Sequence, residues 1–280
     1  MLSYTRGPDY SLLDFTIGEQ LRKTAERVGD SLAVASCHQS RRLTWAELDD
    51  IADRLARGLW SLGIRKADRV GLWSSNCVEW VMLQMACARA GAILVNINPA
   101  YRSHELQFTL CKSRMKAIFL WHSDARADYG RILEEASQGQ SLELQHTIYF
   151  DSPRWEDLLH ALGEIPDDIQ AQDVSNIQYT SGTTGFPKGV MLTHYNQVNN
   201  GVLLARGLRY TEKDRICIPV PLYHCFGCVM GNMSTLASGV AMGEITLAAG
   251  SICQPCVSSD TYPATGPGRS WCPAALLRSA

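Results

Sequence analysis

Tyr179-Thr180-Ser181-Gly182-Thr183-Thr184-Gly185-Phe186-Pro187-Lys188-Gly189 places four aliphatic hydroxyls, three glycines and one lysine in eleven residues. Glycine accepts backbone angles that a Cβ disfavours, so successive N–H groups can turn toward one point. Converging N–H groups form a nest for an anion. Thr180, Ser181, Thr183 and Thr184 add hydroxyl donors, and Lys188 adds a compact positive charge suited to phosphate oxygens. Pro187 fixes φ immediately before that lysine. The stretch therefore predicts a phosphate-binding loop. It is not a Walker A loop, which ends in Gly-Lys-Ser/Thr, nor a dinucleotide fingerprint opening a helix.

The flanks read as strands. Val174-Ser175-Asn176-Ile177-Gln178-Tyr179 predicts a short strand with Val174, Ile177 and Tyr179 on its buried side. Val190-Met191-Leu192-Thr193 predicts a second strand, and a helix is expected to begin near His194. Strand, loop and strand together make a hairpin-like phosphate clamp.

Tyr179 to Gly189 resembles the signature loop of the adenylate-forming (AMP-binding) superfamily, which includes acyl-CoA synthetases, luciferases and peptide-synthetase adenylation domains. The resemblance extends over about residues 15–240. Leu43-Thr44-Trp45-Ala46-Glu47-Leu48 is similar to an early helix start of that family, Ala90 to Pro99 to a second segment, and Pro221-Leu222-Tyr223-His224-Cys225-Phe226-Gly227 to the segment lining the acyl and adenylate site. With Asn98-Pro99-Ala100-Tyr101, these are most similar to fatty-acid and medium-chain acyl-CoA synthetases.

The resemblance implies an α/β fold with parallel-rich sheets and flanking helices, and a two-step ligase reaction. A carboxylic acid, here a fatty acid, would attack the α-phosphate of ATP to give an acyl-adenylate; the thiol of coenzyme A would then displace AMP. It also implies roles by position. Thr180, Ser181, Gly182, Thr183, Thr184, Gly185 and Lys188 would cradle the triphosphate, with Thr184 near Mg²⁺. Lys188 and His224 would be the catalytic pair, His224 beside the reacting carboxylate, and Phe226, Gly227 and Met230 would border the acyl chain. Such chemistry rests on positioning and charge stabilisation.

Other parts of the family pattern are not found in these residues: a Thr-Glu segment after a Tyr-Gly turn, a Thr-Gly-Asp segment for the ribose, a hinge, and a C-terminal domain with its lysine. The expectation is therefore a partial N-terminal domain of the adenylate-forming fold, with the C-terminal domain missing and activity impaired. Residues 1–14 read as an N-terminal extension, 15–242 as the shortened AMP-binding domain, and 243–280 as an atypical, disordered tail rich in proline and serine. A non-catalytic ATP- or acid-binding paralogue, an aryl-acid ligase and a peptide-synthetase adenylation domain remain as alternatives.

Composition fits a packed enzyme domain. Hydrophobic residues make up 46% of the 280 and the formal net charge is −2, with no basic block that would suggest nucleic acid. The apolar stretch from Val81 to Ile97 is broken by Gln84, Arg89, Gly91 and Asn96, so it reads as a helix followed by a strand and not as a membrane span. Met1 to Asp9 lacks a signal-peptide core, which predicts a cytoplasmic protein, or a mitochondrial matrix one if a targeting segment lies upstream. Ten cysteines are present. Cys37, Cys77, Cys87 and Cys111 read as buried thiols, whereas Cys225/Cys228 and Cys253/Cys256 are C-x-x-C pairs that leave a zinc site as a competing reading.

The rest of the chain alternates helix and strand patterns. Helices are expected at Glu19–Val28, from Thr44 with Glu47 closing a capping box, at Glu79–Ala90, and from Ser103 through Cys111. Strands are expected at Leu32–Ser36, Arg69–Trp73, Ala92–Ile97 and Lys116–Leu120. Residues 123–145 read as mostly helical and 151–172 as a surface connection. This rhythm predicts parallel strands with helical crossovers.

Overall fold

The computed structural model describes residues 9–180, 187–243 and 270–271. The chain begins with α1 (Ile17–Val28), a strand pair β1 (Leu32–Ser36) and β2 (Arg41–Thr44), and α2 (Trp45–Ser61). Thr44 caps α2: its Oγ1 accepts from Glu47 N at 3.2 Å and the Glu47 carboxylate accepts from Thr44 N at 2.7 Å. Thr16 and Glu19 form the same box on α1, so this helix starts two residues earlier than its periodicity suggests.

A run of β-α units follows: β3 (Arg69–Trp73), α3 (Val78–Ala90), β4 (Ile93–Ile97), α4 (Ser103–Ser113), β5 (Ala117–Leu120), α5 (Tyr129–Ser137), β6 (His146–Tyr149) and α6 (Pro153–Leu159). Next come β7 (Val174–Thr180), β8 (Lys188–Thr193), α7 (His194–Gly207) and β9 (Arg215–Cys217). A π-helix (Phe226–Met233) runs into α8 (Ser234–Ser238), followed by β10 (Ala241–Gly243) and β11 (Ser270–Trp271).

These strands form two sheets. The larger has the order β6-β5-β3-β4-β7-β8, parallel except for the β7–β8 hairpin. The smaller has the order β11-β9-β10-β1-β2 and is antiparallel only between β1 and β2. Every residue of α3 is buried, because the helix lies in the core shared by both sheets. Its charged side chains are paired rather than solvated: Arg89 reaches Asp49 and Asp53 at 2.6 Å each, and Glu79 meets Arg41 at 2.7 Å. Gly91 closes the helix with φ +72°, the left-handed conformation favoured at this position.

Several expectations need correction. Residues 123–145 contain helix only at Tyr129–Ser137. The expected surface connection 151–172 contains α6, which buries Trp155, Leu158 and Leu159. Cys77 and Cys87 are buried as anticipated, but Cys37 and Cys111 are exposed. On β7 the fully buried residues are Ser175, Asn176 and Gln178, while Val174, Ile177 and Tyr179 are only partly buried. The inward face of this strand meets a polar network, not a hydrophobic layer. The expectation of a disordered tail falls almost wholly outside the described residues; Ser270 and Trp271 pair in parallel with Arg215 and Ile216.

Candidate functional site

The two strands expected to flank the loop pair with each other. β7 and β8 pair in antiparallel register, with Tyr179 opposite Gly189 and Thr180 opposite Lys188. Thr180 and Lys188 are exposed at the mouth of the hairpin. Lys188 forms no ion pair with another described residue. Ser181, Gly182, Thr183, Thr184 and Gly185 lie outside the described residues.

His224 lies in the turn between β9 and the π-helix. Its backbone N donates to Pro221 O at 3.2 Å, and its carbonyl accepts from Gly227 N and Cys228 N at 2.9 and 3.1 Å. The imidazole is exposed, and Nδ1 accepts from Phe226 N at 3.2 Å. An Nδ1 occupied as an acceptor leaves the proton of the neutral ring on Nε2. The turn is compact: a Cβ on Gly227 would stand 2.3 Å from Pro221 O.

The sheet holds this turn through buried amides. Asn76, after β3, grips it twice: Nδ2 donates to Val220 O at 2.9 Å and Oδ1 accepts from Leu222 N at 2.7 Å. Asn96 on β4 donates to Tyr223 O at 3.1 Å and contacts Cys228 Sγ at 3.4 Å. Asn176 on β7 donates to Asn96 Oδ1 at 2.9 Å, and Gln178 donates to Cys228 Sγ at 3.2 Å. From α3, Gln84 donates to Cys228 O at 3.2 Å and accepts from Asn232 at 2.8 Å. Burial pushes the Cys228 thiol up to about 12, although the Asn96 and Gln178 contacts pull the other way.

The His224 turn thus lies over the carboxyl ends of β3 and β4. The chain passes from β3 to β4 on one side of β3 and from β4 back to β5 on the other. Such a reversal opens a crevice where ligands bind in α/β sheets. Asn96 is also in register with Gln178, two residues before Thr180. Thr180 and Lys188 at the hairpin mouth and the His224 turn therefore lie at the same carboxyl edge of the sheet. Tyr101, Tyr179 and Tyr223 gather beside it; burial first, and then Tyr101, raise the Tyr179 phenol to about 12. A groove of about 600 Å³ lined by His122, Arg131, Glu134 and Tyr149 lies by β5 and β6, across β3 and β4 from the hairpin.

His194, close to the loop in sequence, does other work. It is the first residue of α7, is 1% exposed, and its Nδ1 accepts from Ile17 N at 3.2 Å. Burial lowers its pKa to about 4, against the upward pull of Asp173 and Glu19. The position at a helix start agrees with the structural role anticipated for it. Cys225 is exposed beside His224, while Cys253 and Cys256 lie outside the described residues.

The amides Asn76, Asn96, Asn176, Gln178 and Gln84 were not identified as site residues from sequence. The available signal was polar residues inside otherwise apolar runs, such as Asn96 within Leu94-Val95-Asn96-Ile97.

The family model described as "AMP-binding enzyme" matches residues 21–249. The chain belongs to this AMP-binding family. Human medium-chain acyl-CoA ligase ACSF2, mitochondrial, is 38% identical over 274 residues, covering 86% of this chain and 44% of that protein. An inhibitor-bound N-terminal domain of FACL13 from Mycobacterium tuberculosis superposes with TM-score 0.73 at 29% identity, covering 84% of this chain and 58% of that one. A long-chain-fatty-acid-CoA ligase (FadD1) from Archaeoglobus fulgidus gives TM-score 0.75 at 25% identity, covering 87% and 50%. The chain thus spans about half the length of the AMP-binding relatives it matches. Among the described residues no helix is long and apolar enough to cross a membrane.

Proposed function

We propose that this chain forms the nucleotide- and acid-facing part of an AMP-forming acyl-CoA synthetase acting on a fatty acid. The observation that carries this reading is the convergence of the Thr180–Lys188 hairpin mouth and the His224 turn at one sheet edge. The family match and the names of its relatives support the choice of ATP, a carboxylic acid and coenzyme A as substrates. Mg²⁺ would accompany the triphosphate, with the Thr184 hydroxyl as an oxygen donor of the kind a hard cation takes.

The geometry supports a role for each of these groups. Exposed Lys188, without a carboxylate partner among the described residues, supplies a charge for the β- and γ-phosphates. Thr180 on the opposing strand adds a hydroxyl. His224, with its Nδ1 held by Phe226 N, presents Nε2–H as a donor for the acid's carboxylate. The carboxylate oxygen attacks the α-phosphorus and pyrophosphate leaves. Coenzyme A thiol then attacks the acyl carbon and AMP leaves.

A second reading, already left open by the sequence, is a non-catalytic paralogue. It binds ATP or acid without turnover. One experiment separates the two: ATP–pyrophosphate exchange with octanoate, run beside calorimetric ATP binding. Exchange that depends on octanoate supports the synthetase. Binding without exchange supports the binding module, and neither signal removes both.

A further inference from the structure

Asn96 is a polar residue in the middle of an apolar parallel strand, and it is 3% exposed. A buried amide needs partners, since one left unsatisfied costs about 1–3 kcal/mol. Its partners are unusually placed. Its Oδ1 accepts from Asn176, on the strand that ends at the phosphate loop. Its Nδ2 donates to Tyr223 O, the carbonyl immediately before His224, and touches Cys228 Sγ in the following π-helix. One side chain therefore bridges the loop-bearing strand and the turn that carries the imidazole. Asn176, Gln178, Gln84 and Asn232 surround it, each less than a tenth exposed. π-Helical segments are enriched at functional sites, and here the segment is fastened by side-chain amides on the Sγ and the carbonyl of Cys228.

We infer that Asn96 is a positioning residue, setting the height and tautomer of His224 relative to Thr180 and Lys188 at the hairpin mouth through its bond to Tyr223 O. Among the described residues its side chain meets Asn176, the Tyr223 carbonyl and Cys228 Sγ. The effect on turnover rests on the proposed synthetase reading; the effect on His224 does not. With the Asn96 donor removed, the Tyr223 carbonyl is freed, the turn relaxes, and the Phe226 N–H is no longer held against Nδ1.

The test uses the full chain labelled with ¹⁵N-histidine. Asn96→Asp keeps the shape and the acceptor for Asn176 but removes the donor. Asn96→Ala removes both. Leu94→Ala, on the same strand, removes only a core side chain and leaves the Leu94 carbonyl to accept from Asn176 Nδ2, so it is the stability control. Wild type should show His224 as the Nε2–H tautomer in the free protein. Both Asn96 variants should shift it toward a mixture of tautomers, while Leu94→Ala leaves it unchanged. In the exchange assay the KM for octanoate should rise roughly fivefold to tenfold, the scale of one lost hydrogen bond, while ATP affinity stays within about twofold of wild type. Unchanged His224 resonances in Asn96→Asp, with a loss of thermal stability like that of Leu94→Ala, would overturn the inference and leave Asn96 a core residue only. If wild type performs no exchange, the synthetase reading fails, and the tautomer shift alone still decides for or against positioning.

Discussion

Lys188 and Thr180 face each other across the last pair of the β7–β8 ladder, so strand pairing sets both on the same face of the hairpin. A hydrogen bond to a charged group contributes about 1.5–3 kcal/mol. Lys188→Ala should therefore weaken ATP binding by about tenfold to a hundredfold, read by calorimetry. Its effect on folding should be small, because the side chain is exposed. Unchanged ATP affinity would remove Lys188 from the cradle. His194 makes the opposite case, an imidazole whose contribution is to stability. Its folded pKa is about 4 against an ordinary 6.5, with burial as the leading cause. Between those values the unfolded chain binds a proton that the folded chain excludes, so stability rises with pH. The contribution is complete above about pH 6.5 and is lost as pH falls toward 4, amounting to about 3 kcal/mol over the window. Urea unfolding from pH 7 to 4 should show this slope, and His194→Gln should flatten it. An equal slope in the variant would mean that other groups cause it.

At the scale of elements, the His224 turn depends on close backbone approach. A Cβ at Gly227 would stand 2.8 Å from Leu222 Cα as well as striking Pro221 O. Gly227→Ala should cost about 1–3 kcal/mol by overpacking and weaken octanoate binding more than ATP binding, measured by thermal melts and paired titrations. An equal loss for both ligands would place the damage in the whole domain and not in the turn. The legibility of the sequence differs between these elements for physical reasons. The hairpin was readable because its loop chemistry is local: glycines, hydroxyls, proline and lysine act within eleven residues. Helix α2 was readable from its capping box and periodicity, and α1 from periodicity alone, which left out the turn that Thr16 caps. The inward face of β7 was misread because alternation assumes an apolar core, whereas Asn176 points to the Asn96 amide eighty positions away and Gln178 to the Cys228 thiol fifty positions away. Helix α6 was missed because its seven residues begin with Pro153 and carry two acids, leaving only Trp155, Leu158 and Leu159 as signal.

At the scale of the molecule, the two sheets share one core. Val34, Leu43, Ile216 and Met242 of the smaller sheet belong to the same buried cluster as Val70, Leu94, Phe119 and Ile148 of the larger. Helix α3 is central to that cluster, with Leu83 fully buried. A shared core couples the layers, since neither sheet can open without exposing residues of the other. The described chain should therefore unfold in one urea transition, with tryptophan fluorescence and far-UV circular dichroism superimposing. Trp45 and Trp80 report on this cluster, while Trp73 reports on the second cluster beneath α4 and α5. Leu83→Ala should lower stability by about 2–5 kcal/mol and move both signals together. Two resolved transitions, or a Leu83→Ala shift confined to one signal, would show that the smaller sheet folds apart from the larger. In that case the crevice holding His224 would depend on the six-stranded sheet alone.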